Sequence, residues 1–103
     1  MIRHCVFFKF RADVGEDERR AIFAELAALE RVVDGWLGAC FGRNVSPEPF
    51  WRDYSDGFTI DFRDAAARDA YLAHPDHAKA GARLVAAVEG GTDRLLVFDL
   101  ADG

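Results

Sequence analysis

The stretch YLAHPDHAKAG, Tyr71 to Gly81, places two of the chain's three histidines three residues apart across a proline, with a tyrosine just upstream. Histidine is the side chain best suited to moving protons near neutral pH. Pro75 cannot continue a helix without a kink, but it suits the first turn of a new one. His74 is therefore read as a cap and His77 as a residue of the first turn of a second helix. The positive end of that helix disfavours imidazolium, so a neutral imidazole is expected, able to act as base or hydrogen-bond partner. Tyr71, His74 and His77 bracket the break, where side chains from two helix ends can converge. His4 supplies the third imidazole, from the start of the chain. A plainer reading stands beside this one: H-P-x-H at a helix break also serves to cap backbone groups. A pair of histidines at i, i+3 could contribute to a metal site as well, but no carboxylate or cysteine partner is evident, so no metal is assigned.

The elements that must position these groups follow from periodicity. Residues 3–11 alternate, with His4, Val6, Phe8 and Phe10 on one face and Cys5, Phe7 and Lys9 on the other. Ile22, Leu26, Leu29 and Val33 repeat at helical spacing from about Glu16 to Val33, and Gly35 closes that helix. Residues 36–45 read as a strand interrupted by Gly38 and Gly42, which suggest a bulge or bend. Pro47 and Pro49 break the loop that follows. FTIDF, residues 58–62, alternates cleanly, and Asp56 shares the phase of Phe58. Asp64 is a good N-cap for a helix to about Ala73. A second helix runs from Pro75 to about Val88, and residues 94–100 form the last strand.

The order βαββαβ, with a broken second helix, is the ferredoxin-like pattern: an α+β fold with a four-stranded antiparallel sheet and helices on one face. The uncovered face offers Phe7 and, in one choice of phase, Leu95 with Val97. Such a face wants a partner, most simply a second copy related by two-fold symmetry.

Composition bounds the function. The chain has 103 residues, 50% of them hydrophobic, nine of them Phe, which argues against disorder and for a single domain over 1–103. A net charge of −5 with dispersed basic residues argues against a nucleic-acid partner. No apolar run reaches the length of a membrane span, and the N-terminus reads as a strand, without the features of a signal peptide. Cys5 and Cys40, with no C-x-x-C pattern, fit reduced thiols in a cytoplasm. No cofactor is called for.

The segments HCVFFKF, GRNVSPE, DYSDGFTIDFRD, YLAHPDH and LLVFDL, in this order and spacing, resemble the stress-responsive A/B barrel domain family, Dabb, across nearly the whole chain. The resemblance implies a dimer whose two sheets pack face to face into an α/β barrel. It implies no one activity. A characterised plant member closes a linear polyketide by aldol condensation, and by that resemblance His77 is the base, Tyr71 its hydrogen-bonding partner, and His4 and His74 lie near the pocket. Where that member has a further pocket histidine this chain has Asp56, which could orient an imidazole and would repel an anionic substrate. The expected ligand contacts are thus His4, His74, Phe8, Leu26, Asp56 and Phe58, around catalytic His77 and Tyr71. Three functions fit: general-base chemistry such as aldol, lyase or isomerase reactions on an unknown small molecule; non-catalytic, stress-associated ligand binding by a homodimer; and a monooxygenase of the wider dimeric barrel fold.

Overall fold

The computed structural model describes residues 1–102. Its elements are β1 (Ile2–Phe8), α1 (Glu16–Ala27), β2 (Trp36–Arg43), β3 (Asp56–Phe62), α2 (Ala65–Ala73), α3 (Pro75–Ala87) and β4 (Leu96–Ala101). The four strands form one antiparallel sheet in the order β2-β3-β1-β4. This is the expected ferredoxin-like arrangement, with α1, α2 and α3 packed on one face.

The alternation of β1 decides which face is covered. His4, Val6 and Phe8 are buried on the helix side, as are Phe58, Ile60 and Phe62 of β3. Ile22 and Leu26 of α1 and Leu84 of α3 close on them to make the core. Phe23 adds an aromatic bridge, with its ring centroid 5.5 Å from Phe10 and 5.4 Å from Phe41.

Several boundaries differ from the sequence reading, each for a local reason. Regular β1 pairing stops at Phe8; Phe10 keeps a lone bridge to Val88, and Glu89 donates to the Lys9 carbonyl at 2.8 Å. The first helix tightens into a 3₁₀ turn over Ala28–Arg31, which still buries Leu29. Strand β3 begins earlier than residue 58, because Asp56 pairs with both Phe8 and Arg43. Gly38 marks a register irregularity next to Trp36, as its place in a strand suggested. Gly35 has φ 87°, and a Cβ there would meet the Ala67 Cβ at 2.7 Å. Glycine is thus required where the chain turns under α2.

The last strand carries a correction. Val97 stands opposite Val6 and so faces the helices, while Leu96 and Phe98 stand opposite Phe7 and Cys5. The uncovered face therefore presents Phe7, Leu96, Phe98 and Leu100, in place of Leu95 and Val97. Phe7 and Phe98 pack at a centroid distance of 5.8 Å, and Leu96, Phe98 and Leu100 are exposed. No helix among the described residues is long and apolar enough to cross a membrane.

Candidate functional site

A cavity of about 310 Å³ lies between the sheet and the helices, open near β4. His4, Leu26, Phe58, Tyr71 and His77 all line it. Five elements bring them together. β1 turns His4 inward by its alternation, β3 does the same for Phe58, α1 presents Leu26, and the break between α2 and α3 delivers Tyr71 and His77.

The break is built as the residues dictate. Asp64 caps α2 by accepting from the Ala67 N–H at 2.9 Å. His74 ends α2 in extended conformation and caps α3, its Nδ1 accepting from the Asp76 N–H at 3.0 Å. Pro75 opens α3, where its missing N–H costs nothing. One turn of α3 then swings His77 over Tyr71, with ring centroids 4.5 Å apart.

Tyr71 is fully buried, packed against Phe62 and Trp36. Its Oη has no hydrogen-bond partner among the described residues. Burial pushes the phenol's pKa up, so it stays a hydroxyl that can donate. Burial pushes the His77 imidazole down, the nearby His4 adds to that, and a backbone contact with Leu72 opposes both. A neutral ring at neutral pH follows, in agreement with the helix-end argument.

His4 is buried, and its Nδ1 lies 2.7 Å from Asp99 Oδ1. Arg68 Nη1 donates to the other carboxylate oxygen at 3.0 Å. Burial pushes the Asp99 carboxyl up, but the bonds from His4 and Arg68 outweigh it and hold the group below its ordinary range. An ionised carboxylate only accepts, so the His4 hydrogen sits on Nδ1 when the ring is neutral, leaving Nε2 as an acceptor. The His4 ring lies 5.8 Å from that of Tyr71.

Three of the expected contacts do not line this cavity. Phe8 is fully buried in the aromatic cluster of Phe10, Phe23 and Phe58, where it fills core. The Nδ1 of His74 is occupied by the cap it makes. Asp56 shares a face with Phe58, but it pairs with Phe8 while His4 pairs with Ile60. That puts it about 13 Å along the strand from His4. There its carboxylate accepts from the Phe10 N–H at 3.3 Å and the Ser55 hydroxyl at 2.8 Å, satisfying the end of β1. Strand phase gave its face and could not give its distance.

Asp99 and Arg68 are absent from the sequence reading. The signal for Asp99 was an acid within the apolar run LLVFDL, in the phase of Val97. Recognising it required the β1–β4 register, in which His4 faces Asp99. The inner face of α3 was legible too: His77, Gly81 and Leu84 recur at helical spacing and all line the cavity. Among the described residues no group of three His, Cys, Asp or Glu side chains is placed to hold a metal.

A larger hollow of about 460 Å³ lies on the helix-free face, lined by Phe7, Trp51, Tyr54 and Phe98 among others. It contains no histidine; His4, Tyr71 and His77 line the cavity on the opposite side of the sheet.

A family model for the stress responsive A/B barrel domain, Dabb, matches residues 2–102. The chain belongs to that family. Its Dabb fold is shared closely with a dimeric ferredoxin-like protein of unknown function from Jannaschia sp. CCS1, at TM-score 0.89 and 34% identity over 98% of each chain. An uncharacterised protein of Streptomyces coelicolor is 36% identical over 82 residues, 75% of this chain and 79% of that one. Two more distant structures carry catalytic names. One is a hydroxynitrile lyase from Passiflora edulis, at TM-score 0.80 and 15% identity, covering 99% of this chain and 93% of that one. The other is SnoaB, a cofactor-independent oxygenase from Streptomyces nogalater, in a mutant form, at TM-score 0.75 and 17% identity, covering 98% and 91%. At those identities the likeness is one of fold. Proteins of this fold thus include a lyase and an oxygenase, and the fold by itself assigns no activity to this chain.

Proposed function

We propose that this Dabb domain, a single unit over residues 1–103, binds a small molecule between sheet and helices and acts on it by general-base chemistry of the aldol, lyase or isomerase kind. The observation that carries the reading is the fully buried Tyr71 hydroxyl, without a protein partner, beside a neutral His77 in a cavity. A buried hydroxyl left unbonded is costly, and a ligand oxygen entering the cavity removes that cost.

The roles follow from the protonation states. Tyr71 donates its O–H to a carbonyl oxygen. His77 accepts the proton from the adjacent acidic C–H, and the negative charge that develops on the oxygen is stabilised by the Tyr71 bond. His4, oriented by Asp99, offers Nε2 toward the same space. The proton returns from His77 to carbon, or to an oxygen, when product forms. Proton exchange at carbon α to a carbonyl tests this directly: simple ketones incubated with the protein in D₂O should lose α-protons by NMR faster than with His77→Ala. Binding without exchange would assign the cavity to ligand storage or sensing.

The assembly we infer is a homodimer through the helix-free sheet face, in a cytoplasmic protein. Phe7, Leu96, Phe98 and Leu100 share that face, and burying apolar surface is worth about 25 cal/mol per Å². Arg3 and Asp61 form an ion pair at 2.8 Å on the same face, so those two charges meet burial already paired. Sedimentation should show a dimer at micromolar concentration; a stable monomer would contradict the interface.

A further inference from the structure

The helix-free face of the sheet is uneven in height from one edge to the other. Strand register sets its outward residues in rows that run from β2 to β4: Gly38, Asp61, Arg3 and Leu100; Cys40, Thr59, Cys5 and Phe98; Gly42, Gly57, Phe7 and Leu96. β4 therefore raises a ridge of exposed Leu96, Phe98 and Leu100, while β2 offers only two glycines and a cysteine. Gly38 sits at the register irregularity, but Gly42 has no such reason to be glycine. Its φ is not positive, and a Cβ built on it meets no atom within 4 Å. Glycine weakens a strand interior, so the protomer by itself forgoes a better residue there. Over Cys40 and Gly42 the trough deepens into the hollow of about 460 Å³, walled by Trp51 and Tyr54.

A two-fold axis that brings two copies of this face together lies in the plane between them, and aligned sheets leave it running either across the strands or along them. Across the strands, each strand covers its own copy. Ridge then meets ridge, trough meets trough, and Arg3 lies against the partner's Phe7. That leaves voids over the glycines and a charge on an apolar ring, both costly. Along the strands, with the axis between β1 and β3, β4 covers the partner's β2 and β1 covers the partner's β3, row on row. Leu100, Phe98 and Leu96 then stand over the partner's Gly38, Cys40 and Gly42. Arg3 stands over the partner's Asp61, so the ion pair each protomer already makes at 2.8 Å closes into a ring of alternating charges.

We propose that the helix-free face is self-complementary in this second way: the β4 ridge of each protomer fills the β2 trough of the other, and Arg3 pairs with the partner's Asp61. The proposal rests on the homodimer inferred above and adds which residues meet and in which orientation. It assigns the hollow beside Trp51 as the seat of the partner's Leu96 and Phe98. It also ties assembly to the cavity on the other side of the sheet. β4 is an edge strand whose inward Val97 lines that cavity and whose Asp99 holds His4, so the partner backs the strand on which the site depends.

The test measures dimer affinity of the full-length protein by sedimentation, with circular dichroism to confirm the fold of each variant. Gly42→Leu adds a side chain that meets nothing in its own protomer, so the chain should fold, yet the dimer should weaken at least about tenfold because the overpacking occurs twice. Leu96→Ala in the same chain should recover part of that loss. Arg3→Asp and Asp61→Arg should each weaken their own homodimers by setting like charges together. Mixed in equal amounts, the two should form a heterodimer, counted by native mass spectrometry, at least about tenfold tighter than either parent. Dimer affinity unchanged in folded Gly42→Leu, or no preference for the heterodimer in the mixture, overturns the proposed orientation. Phe98→Asp separates this inference from the reading beneath it. A dimer that survives Phe98→Asp removes the interface itself, and the orientation with it. A dimer lost in Phe98→Asp but indifferent to Gly42→Leu and to the charge mixture keeps the face and overturns the pairing of β4 with the partner's β2.

Discussion

His4 Nδ1 and Asp99 Oδ1 lie 2.7 Å apart, across a β1–β4 pair in which the two residues stand opposite one another. Strand register thereby sets which carboxylate orients the imidazole at the cavity wall. Arg68, from α2, holds the second carboxylate oxygen and ties a helix to the same pair. The site is braced from the sheet on one side and from the helix layer on the other.

Asp99→Asn should loosen that brace. Hydrogen bonds to charged groups contribute about 1.5–3 kcal/mol. The Asp99 side chain is 22% exposed, so a loss of about 1 kcal/mol is expected in urea unfolding. Nitrogen-15 NMR of His4 should report the Nδ1–H tautomer in wild type and a mixture in the variant. A tautomer ratio unchanged by Asp99→Asn would mean that the carboxylate does not orient the ring.

Tyr71→Phe should move stability and activity in opposite directions. Removing a fully buried, unpartnered hydroxyl takes away a desolvation cost of about 1–3 kcal/mol in the ligand-free protein, while the ring keeps its packing on Phe62 and Trp36. The melting temperature should rise or hold. Proton exchange on ketones should fall, because the developing oxyanion loses its donor. Thermal unfolding at neutral pH checks the first half, and a clear loss of stability would show that the hydroxyl is satisfied in the free protein.

Stability should also depend on pH through His77. Its folded-state pKa lies below the ordinary 6.5, lowered by burial and by the nearby His4. The unfolded chain therefore binds the proton more readily than the folded one. The contribution of His77 is fully present above pH 6.5 and is lost as pH falls through the depressed folded value. His77→Gln should flatten this part of the stability profile between pH 7.5 and about pH 5.5. An identical profile in wild type and variant would place the imidazole in a more solvated setting than its packing on Tyr71 indicates.

Much of this architecture was legible because its signals are local. The alternation of His4, Val6 and Phe8 assigned the inner face of β1, and the cap-and-proline grammar of Asp64, His74 and Pro75 gave the helix break. What was not legible depends on distance and register. Asp56 and Phe58 share a face, yet Asp56 stands opposite Phe8, four residues along the sheet from His4, and does not line the cavity. The proline between His74 and His77 already separated a cap from a first-turn residue, and the cap does occupy the Nδ1 of His74; the placing of the His77 ring 4.5 Å from that of Tyr71 took the helix packing to show. Asp99 became visible only when β4 was laid against β1, since an acid in a strand carries no mark of what it faces. The phase of β4 itself could not be chosen from an apolar run in which both faces are hydrophobic.

The central claim is that His77 takes a proton from carbon while Tyr71 holds the neighbouring oxygen. Its most direct measurement is α-proton exchange of a neutral ketone in D₂O, followed by NMR for wild type and for His77→Ala, with circular dichroism and sedimentation confirming that the variant keeps its fold and assembly. A positioned general base contributes about 10²–10⁴-fold, so the account predicts protein-dependent exchange in wild type and a loss of that order in His77→Ala. Equal exchange rates in the two folded proteins would contradict it, and the histidine at the start of α3 would then be part of the architecture alone.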